Sequence, residues 1–231
     1  MDISYLFYLS SGLFLGWSLG ANDASNIFGT AVGSKMVRFT TIALISCFFV
    51  ILGAVYGGAG TSKTLGSLGA VNALAGAFMV ALSAALAVYS MARTGISVSS
   101  SQAVVGAIVG WNLYAGKPTD LETLARICST WTICPLLSGL VAVVLFMLFK
   151  RVLKSSHIHL LMQDQITRIG LIVTAAISAY ALGANNIANA VGMFVESCPF
   201  KPLKAGILGT FSPEQVLFFL GSVAVSVGIL T

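Results

Sequence analysis

Leu19-Gly20-Ala21-Asn22-Asp23-Ala24-Ser25-Asn26-Ile27-Phe28-Gly29 decides how this chain is read, because the stretch occurs twice. Leu182-Gly183-Ala184-Asn185-Asn186-Ile187-Ala188-Asn189-Ala190-Val191-Gly192 aligns to it without gaps, 163 residues later, with six of eleven positions identical. Small apolar residues recur by chance in apolar helices, but two asparagines at the same four-residue spacing do not. Both copies lie inside apolar segments. A polar or ionisable side chain at membrane depth costs about 2.5 to 3.5 kcal/mol on insertion scales, so such residues mark a functional site by default.

The rest of the composition supports a membrane setting. Apolar residues make up 57% of the 231 positions and charged ones 8%, against about 25% charged in soluble domains. Mean hydropathy is +0.96, and too few charges exist to coat a soluble surface. Twelve Lys and Arg against seven acids give +5. These bases sit between apolar runs instead of forming one face, which excludes nucleic acid as a partner. Cys47, Cys128, Cys134 and Cys198 lack CxxC pairs or zinc-site spacing and read as small apolar residues. Met1-Asp2-Ile3 lacks the basic region of a secretory signal and opens a first span.

A span needs about 20 mostly apolar residues. Cutting the chain at charged or turn-rich breaks gives segments 4–34, 39–58, 69–92, 96–116, 128–149, 167–195 and 206–231. The first and sixth are too long for one straight span and carry the polar motifs, so broken helices are expected there. Thr119 with Glu122 and Ser212 with Gln215 fit capping boxes, the second with Pro213 at the first helical position. Cys198-Pro199-Phe200-Lys201-Pro202 reads as a rigid turn. Lys150 to Arg168 is expected to be a polar loop, with His157 and His159 as solvated anchors. Lys35, Arg38, Arg93, Lys150, Arg151, Lys154 and Arg168 fall on one side. Lys63, Lys117, Arg126, Lys201 and Lys204 fall on the other, which places the N-terminus outside.

Five crossings separate the two copies in this segmentation, an odd number, so the second copy points the opposite way. The expected fold is an all-α integral membrane protein, a polytopic helical bundle with inverted repeats and discontinuous helices. Residues 1–150 form the first repeat, 151–166 a basic cytoplasmic loop and 167–231 a second repeat. Ser99 follows Asn22 by 77 residues; the same interval from Asn185 runs beyond Thr231, so the second repeat is expected to be incomplete.

Inverted repeats are a common build for secondary transporters, whose sites lie where the two halves meet. Asn22 and Asn26 share a helical face with Asp23 on its flank, and Asn185 and Asn189 repeat the arrangement. Such oxygens suit Na+ or another hard cation. A second polar island, Ser97-Val98-Ser99-Ser100-Ser101-Gln102, opens an apolar segment. Serines at a helix start, with its free N–H groups, make an oxyanion cradle, or else simply cap and pack the helix. Glycines recur every four residues at Gly12, Gly16 and Gly20, at Gly53 and Gly57, and at Gly106 and Gly110, which lets helix backbones approach. Trp17 and Tyr180 align between the copies and either line a gate or fill space.

Gly20-Ala21-Asn22-Asp23-Ala24-Ser25-Asn26-Ile27-Phe28-Gly29-Thr30-Ala31-Val32-Gly33-Ser34-Lys35 closely resembles the signature of the inorganic phosphate transporter (PiT) family. The serine island, followed by Ala-Val-Val-Gly-Ala-Ile-Val-Gly, resembles that family's Ser/Thr-rich re-entrant motif, and Gly183 to Ala190 its second signature. In the family the island can form a hairpin that returns to its own side. The resemblance implies a multi-pass protein of the cell membrane that transports inorganic phosphate together with Na+ or H+. It assigns the coupling cation to Asp23, Asn26, Asn186 and Asn189, with Asp23 and Asn26 as the metal ligands if the ion is Na+. It assigns phosphate to Ser99, Ser100, Ser101 and Gln102, grouped here with Asn22 and Asn185. No cofactor is implied beyond Na+ as coupling ion. The implied partners are phosphate, Na+ or H+ and the lipid bilayer, with a homodimer among the admissible assemblies. Two positions depart from the family pattern: Asn186 stands where Asp is usual, and Gln102 where His is common. Fewer coupled cations, H+ coupling, or a permease for sulfate or another tetrahedral oxyanion are consistent with these departures. The alternative from a different class is a non-transporting membrane subunit that uses its glycine faces to bind a partner. No carboxylate pair or HExxH motif stands out, so an enzyme is not expected.

Overall fold

The computed structural model describes residues 3–60, 62, 74–155, 159–204 and 210–231. Lys63, His157 and residues 69–73 and 206–209 of the expected segments lie outside them. Among the described residues the helices are α1 (Ile3–Gly33), α2 (Phe39–Gly57), α3 (Leu74–Arg93), α4 (Ser100–Tyr114), α5 (Leu121–Ser155), α6 (Leu160–Val191) and α7 (Pro213–Leu230). A short 3-10 turn, Gly192–Phe194, follows α6, and strands β1 (Leu203–Lys204) and β2 (Thr210–Phe211) pair antiparallel before α7. Five of the helices, α2, α3, α5, α6 and α7, are long and apolar enough to cross a membrane.

The helical membrane bundle is as expected, but the breaks lie elsewhere. Helices α1, 31 residues, and α6, 32 residues, run unbroken through their polar motifs. Asparagine is a mediocre helix former that tertiary contacts readily override, and each motif here is held by partners across the bundle. The interruption falls between α3 and α4 instead. Phe7 stacks on Phe78, and Phe14 and Trp17 contact Tyr89, so α3 runs alongside α1 in the same direction. Arg93, one turn past Tyr89, therefore ends α3 beside Ala21 and Asn22. The chain turns there, and Gly76 at the start of α3 lies against Trp111 near the end of α4. Helix α4 is 15 residues, about 22 Å at 1.5 Å per residue, short of a hydrocarbon core of about 30 Å.

Segment 96–116 thus runs back along α3 as the returning arm of a hairpin. The α1–α2 corner lies deeper, since Phe28 meets Phe39, six residues of α1 beyond Asn22, or about 9 Å. Hydropathy misses this because it scores how apolar a segment is, not where its end stops. Arg93, expected in a loop at the inner face, is at the hairpin end, its guanidinium 5.7 Å from the Tyr89 ring centre.

Inversion rests on contacts rather than on counting. Tyr5 donates to the Phe194 carbonyl, Gly12 lies against the Ala190 carbonyl, and Asn186 donates to Asp23. As numbers rise along α1 they fall along α6, so the repeat helices are antiparallel. Helix α1 lies parallel to α7 and α2 parallel to α6, through matched glycine contacts. A Cβ on Gly20 would overlap the Val225 carbonyl and one on Gly183 that of Val50; Gly228 meets Trp17, and Gly53 meets Tyr180, in the same way. Each half-contact thus has a counterpart with the repeats exchanged. Gly106 and Gly110, read as another close-approach stripe, have no atoms within 4 Å of a built Cβ.

Three local expectations change. The polar loop narrows, because α5 continues to Ser155 and α6 begins at Leu160; Lys, Arg and Gln are good helix formers, so the helices outlast the apolar segments. Asp120, not Thr119, caps α5: its carboxylate accepts from Glu122 N at 3.0 Å and Thr123 Oγ1 at 2.6 Å. Thr119 instead accepts from Asn112. The Ser212–Gln215 box forms as read, with Pro213 at the first helical position. On α5, Leu124, Ile127 and Trp131 pack against the core, whereas residues 132–152 are exposed throughout, as befits a lipid-facing helix that is apolar all round.

Candidate functional site

The α3–α4 turn brings the serine island to the first repeat motif. Ser99, in extended backbone, caps α4 by accepting from Gln102 N, and Ser100, the first residue of the helix, is buried. The α4 N–H groups and positive dipole end thus open toward α1. Asn22, only 6% exposed, holds this start in place. Its amide oxygen accepts from Val98 N at 3.2 Å and its amide nitrogen donates to Val98 O at 2.8 Å. It also donates to Asp23 Oδ1 at 2.9 Å.

From the second copy, Asn186 Nδ2 donates to Asp23 Oδ2 at 2.8 Å. Asn189 Nδ2 donates to Asn186 Oδ1 at 3.3 Å and to Ser101 Oγ at 3.1 Å. The two repeats and the hairpin therefore form one buried polar network centred on a single carboxylate. A cavity of about 510 Å³ opens beside it. Buried Asp23, Asn186 and Ser100 form its floor, and exposed Asn26, Ser97, Ser99 and Asn185 its outer lining.

The expected site residues thus gather at one place, but not in equal roles. Asp23, Asn26, Asn185, Asn186, Ser99 and Ser100 line the cavity. Asn22, Ser101 and Asn189 stand behind it as hydrogen-bonded supports. Gln102 is exposed and contributes its backbone N–H to the Ser99 cap, because one residue further along the helix turns the side chain about 100° away. Ser97, read as part of the serine island, lines the cavity; sequence reasoning left Ser178 without a role, yet it lines the cavity too, with Ala181 and Leu182. Ser178 and Ala181 precede Asn185 by seven and four residues, the spacing of one helix face. Trp17 stacks on Phe14 and donates to Thr231, which is packing.

One carboxylate faces amide oxygens and a helix start across a cavity that can hold a tetrahedral anion and a cation together. Both oxygens of Asp23 already accept amide N–H bonds, which stabilises the charge, and carboxylate lone pairs remain for a cation. Buried Ser100 and the free backbone N–H groups of the α4 start offer donors to an anion.

Comparisons place this architecture among known proteins. The sulfate permease CysP of Bacillus subtilis is 36% identical over 196 residues, 79% of this chain and 52% of that protein, so the chain spans about half the length of that relative. Sodium-dependent phosphate transporter 1 of Mus musculus is 30% identical over 57% of this chain and 21% of its own. A solved structure titled as the sodium-dependent phosphate transporter matches with TM-score 0.74 over 97% of this chain and 74% of that one, at 20% identity, a likeness of fold. The sequence profile of the phosphate transporter family matches residues 19–231, which takes in both repeat motifs and the hairpin, and the chain belongs to that family.

Proposed function

We propose that this chain carries the site of a cation-coupled inorganic phosphate symporter of the cell membrane, with Na+ as the coupling ion. The observation that supports this best is the single buried carboxylate shared by both repeats, 2.8 Å from Asn186, facing the start of α4 across the cavity. Asp23, with Asn26 and Asn186, would hold the cation. Ser99 and Ser100, with Asn185 at the outer lining, would hold phosphate. The pairing would set opposite charges side by side in one cavity, where each favours entry of the other. Na+ is favoured by the mouse relative and the fold neighbour, both named as sodium-dependent.

Phosphate uptake into proteoliposomes under an inward Na+ gradient tests the proposal, with a pH gradient as the comparison arm. Asp23→Asn is expected to lower Na+-driven uptake at least about tenfold, equivalent to roughly 1.4 kcal/mol, while expression persists. Undiminished uptake refutes the role of Asp23. A second reading, sulfate transport on the same scaffold, draws on the Bacillus subtilis relative; sulfate that competes more strongly than phosphate would establish it. A non-transporting subunit would show neither phosphate- nor Na+-dependent thermal stabilisation.

A further inference from the structure

Asn22 has a different chemical position from the residues around it. Its amide has two N–H donors, and both are used, one on Val98 O at 2.8 Å and one on Asp23 Oδ1 at 2.9 Å. No donor is left for an anion. Its oxygen accepts from Val98 N at 3.2 Å, so one side chain satisfies both backbone groups of a residue that lies between two helices, where no ladder exists to do so.

A second path leaves the other oxygen of the same carboxylate. Asp23 Oδ2 accepts from Asn186, whose oxygen accepts from Asn189, whose nitrogen also donates to Ser101 Oγ. The two paths end at Val98 and Ser101, the residues on either side of Ser99 and Ser100. Asn185, the repeat counterpart of Asn22, is exposed in the cavity lining, so repeat position alone does not confer this arrangement.

We infer that Asn22 and Asn189 are positioning residues that link Asp23, directly and through Asn186 respectively, to the start of α4, so that cation occupancy at Asp23 sets anion affinity at Ser99 and Ser100. The inference rests on the proposed symport and specifies how its two ions are coupled. A cation on Asp23 draws electron density from oxygens that now accept the two amides. In a buried chain of hydrogen bonds each member polarises the next. The change reaches the backbone of Val98 and the hydroxyl of Ser101 together, and re-aims the donors between them. Linkage is reciprocal, so phosphate at the helix start must tighten the cation by the same factor.

The test uses the 231-residue chain in detergent, with inorganic phosphate titrated in Na+ buffer and in choline buffer. In the wild type, Na+ is expected to lower the phosphate Kd about 5-fold or more, the lower end of typical coupling. In Asn22→Ala and in Asn189→Ala that ratio is expected to fall toward one. A residue that merely supports the fold would weaken phosphate binding equally with and without Na+; an unchanged ratio overturns the inference. Should the variants fail to fold, amide hydrogen exchange at Val98 in the wild type decides. Na+ should alter its rate, and an unaltered rate overturns the linkage. Phosphate binding by the wild type that ignores Na+ sinks the cation-coupled reading itself. That result is distinct from a Na+-dependent wild type matched by equally dependent variants.

Discussion

Asn186 and Asp23 occupy the same position in the two copies of the repeat, and they are hydrogen bonded to each other at 2.8 Å across the bundle. Inversion brings equivalent positions face to face, so whatever stands at this position meets its own counterpart. Two acids there would repel unless a cation lay between them. An acid and an amide satisfy one another, and the site closes on itself with a single negative charge.

Asn186→Asp restores the like-charge pair. In Na+-free buffer its melting temperature is expected to drop below that of the wild type, and Na+ is expected to recover more stability in the variant. Ligand at 100 times its Kd adds about 2.7 kcal/mol to the folded state. Thermal shift against Na+ concentration measures the difference; equal Na+ responses would show that no cation sits between the two side chains.

Ser99 has two roles that one pair of substitutions separates. Ser99→Ala removes the cap of α4, a loss of about 0.5 to 2 kcal/mol. Ser99→Asp keeps a capping oxygen but places a negative charge where the anion is proposed to bind. The aspartate variant is expected to melt near the wild type while its phosphate Kd rises at least tenfold, roughly 1.4 kcal/mol. Wild-type affinity in Ser99→Asp would move the anion site away from the helix start.

The exchanged glycine contacts predict where bulk is forbidden. Gly20→Ala and Gly183→Ala each place a methyl into a backbone carbonyl, and overpacking of this kind costs about 1 to 3 kcal/mol. Gly106→Ala and Gly110→Ala meet open space and are expected to leave the melting temperature unchanged or raised, since Ala favours helix over Gly by about 1 kcal/mol. Equal losses at all four positions would contradict the packing described.

Asp120 gives a pH signature outside the membrane. Its carboxyl is held below its ordinary value, first by the Thr123 hydroxyl and then by the backbone N–H groups of Thr123 and Glu122. A lowered value in the folded state means the stabilisation is present above the ordinary carboxylate range, near 4. It is lost as pH falls through the folded value. Asp120→Ala is therefore expected to lower the melting temperature at neutral pH, with the gap to wild type closing in acid. A gap that persists unchanged in acid would show that the ionised cap is not its source.

Much of this site was legible before the fold was known. The cost of polar groups in apolar segments singled out the two asparagine motifs and the serine island, and the resemblance added Asn186. Asp23, Asn26, Asn186, Ser99 and Ser100 line one cavity, while Gln102 turns away from it. What the letters did not separate was ligand from support. Asn22 and Asn185 are the same residue at the same repeat position, yet one is buried with its donors consumed and the other lines the cavity. Their difference comes from Val98, 76 residues away from Asn22, and no local pattern encodes such a partner.

Composition, being a property summed over the chain, settled on its own that this is a membrane protein. The repeat, being a comparison of the chain with itself, settled that two halves are related. Capping at Ser212, reinforced by Pro213, formed as read, whereas the same local pattern at Thr119 gave way to Asp120 one residue on. Tertiary structure decided that α3 and α4 turn back beside Asn22, that α1 and α6 stay whole, and that a lone carboxylate joins both halves. Transfer energy along a segment reports how much of it is apolar. Where the segment stops, and which amide meets which oxygen, depends on helices brought together from opposite ends of the sequence.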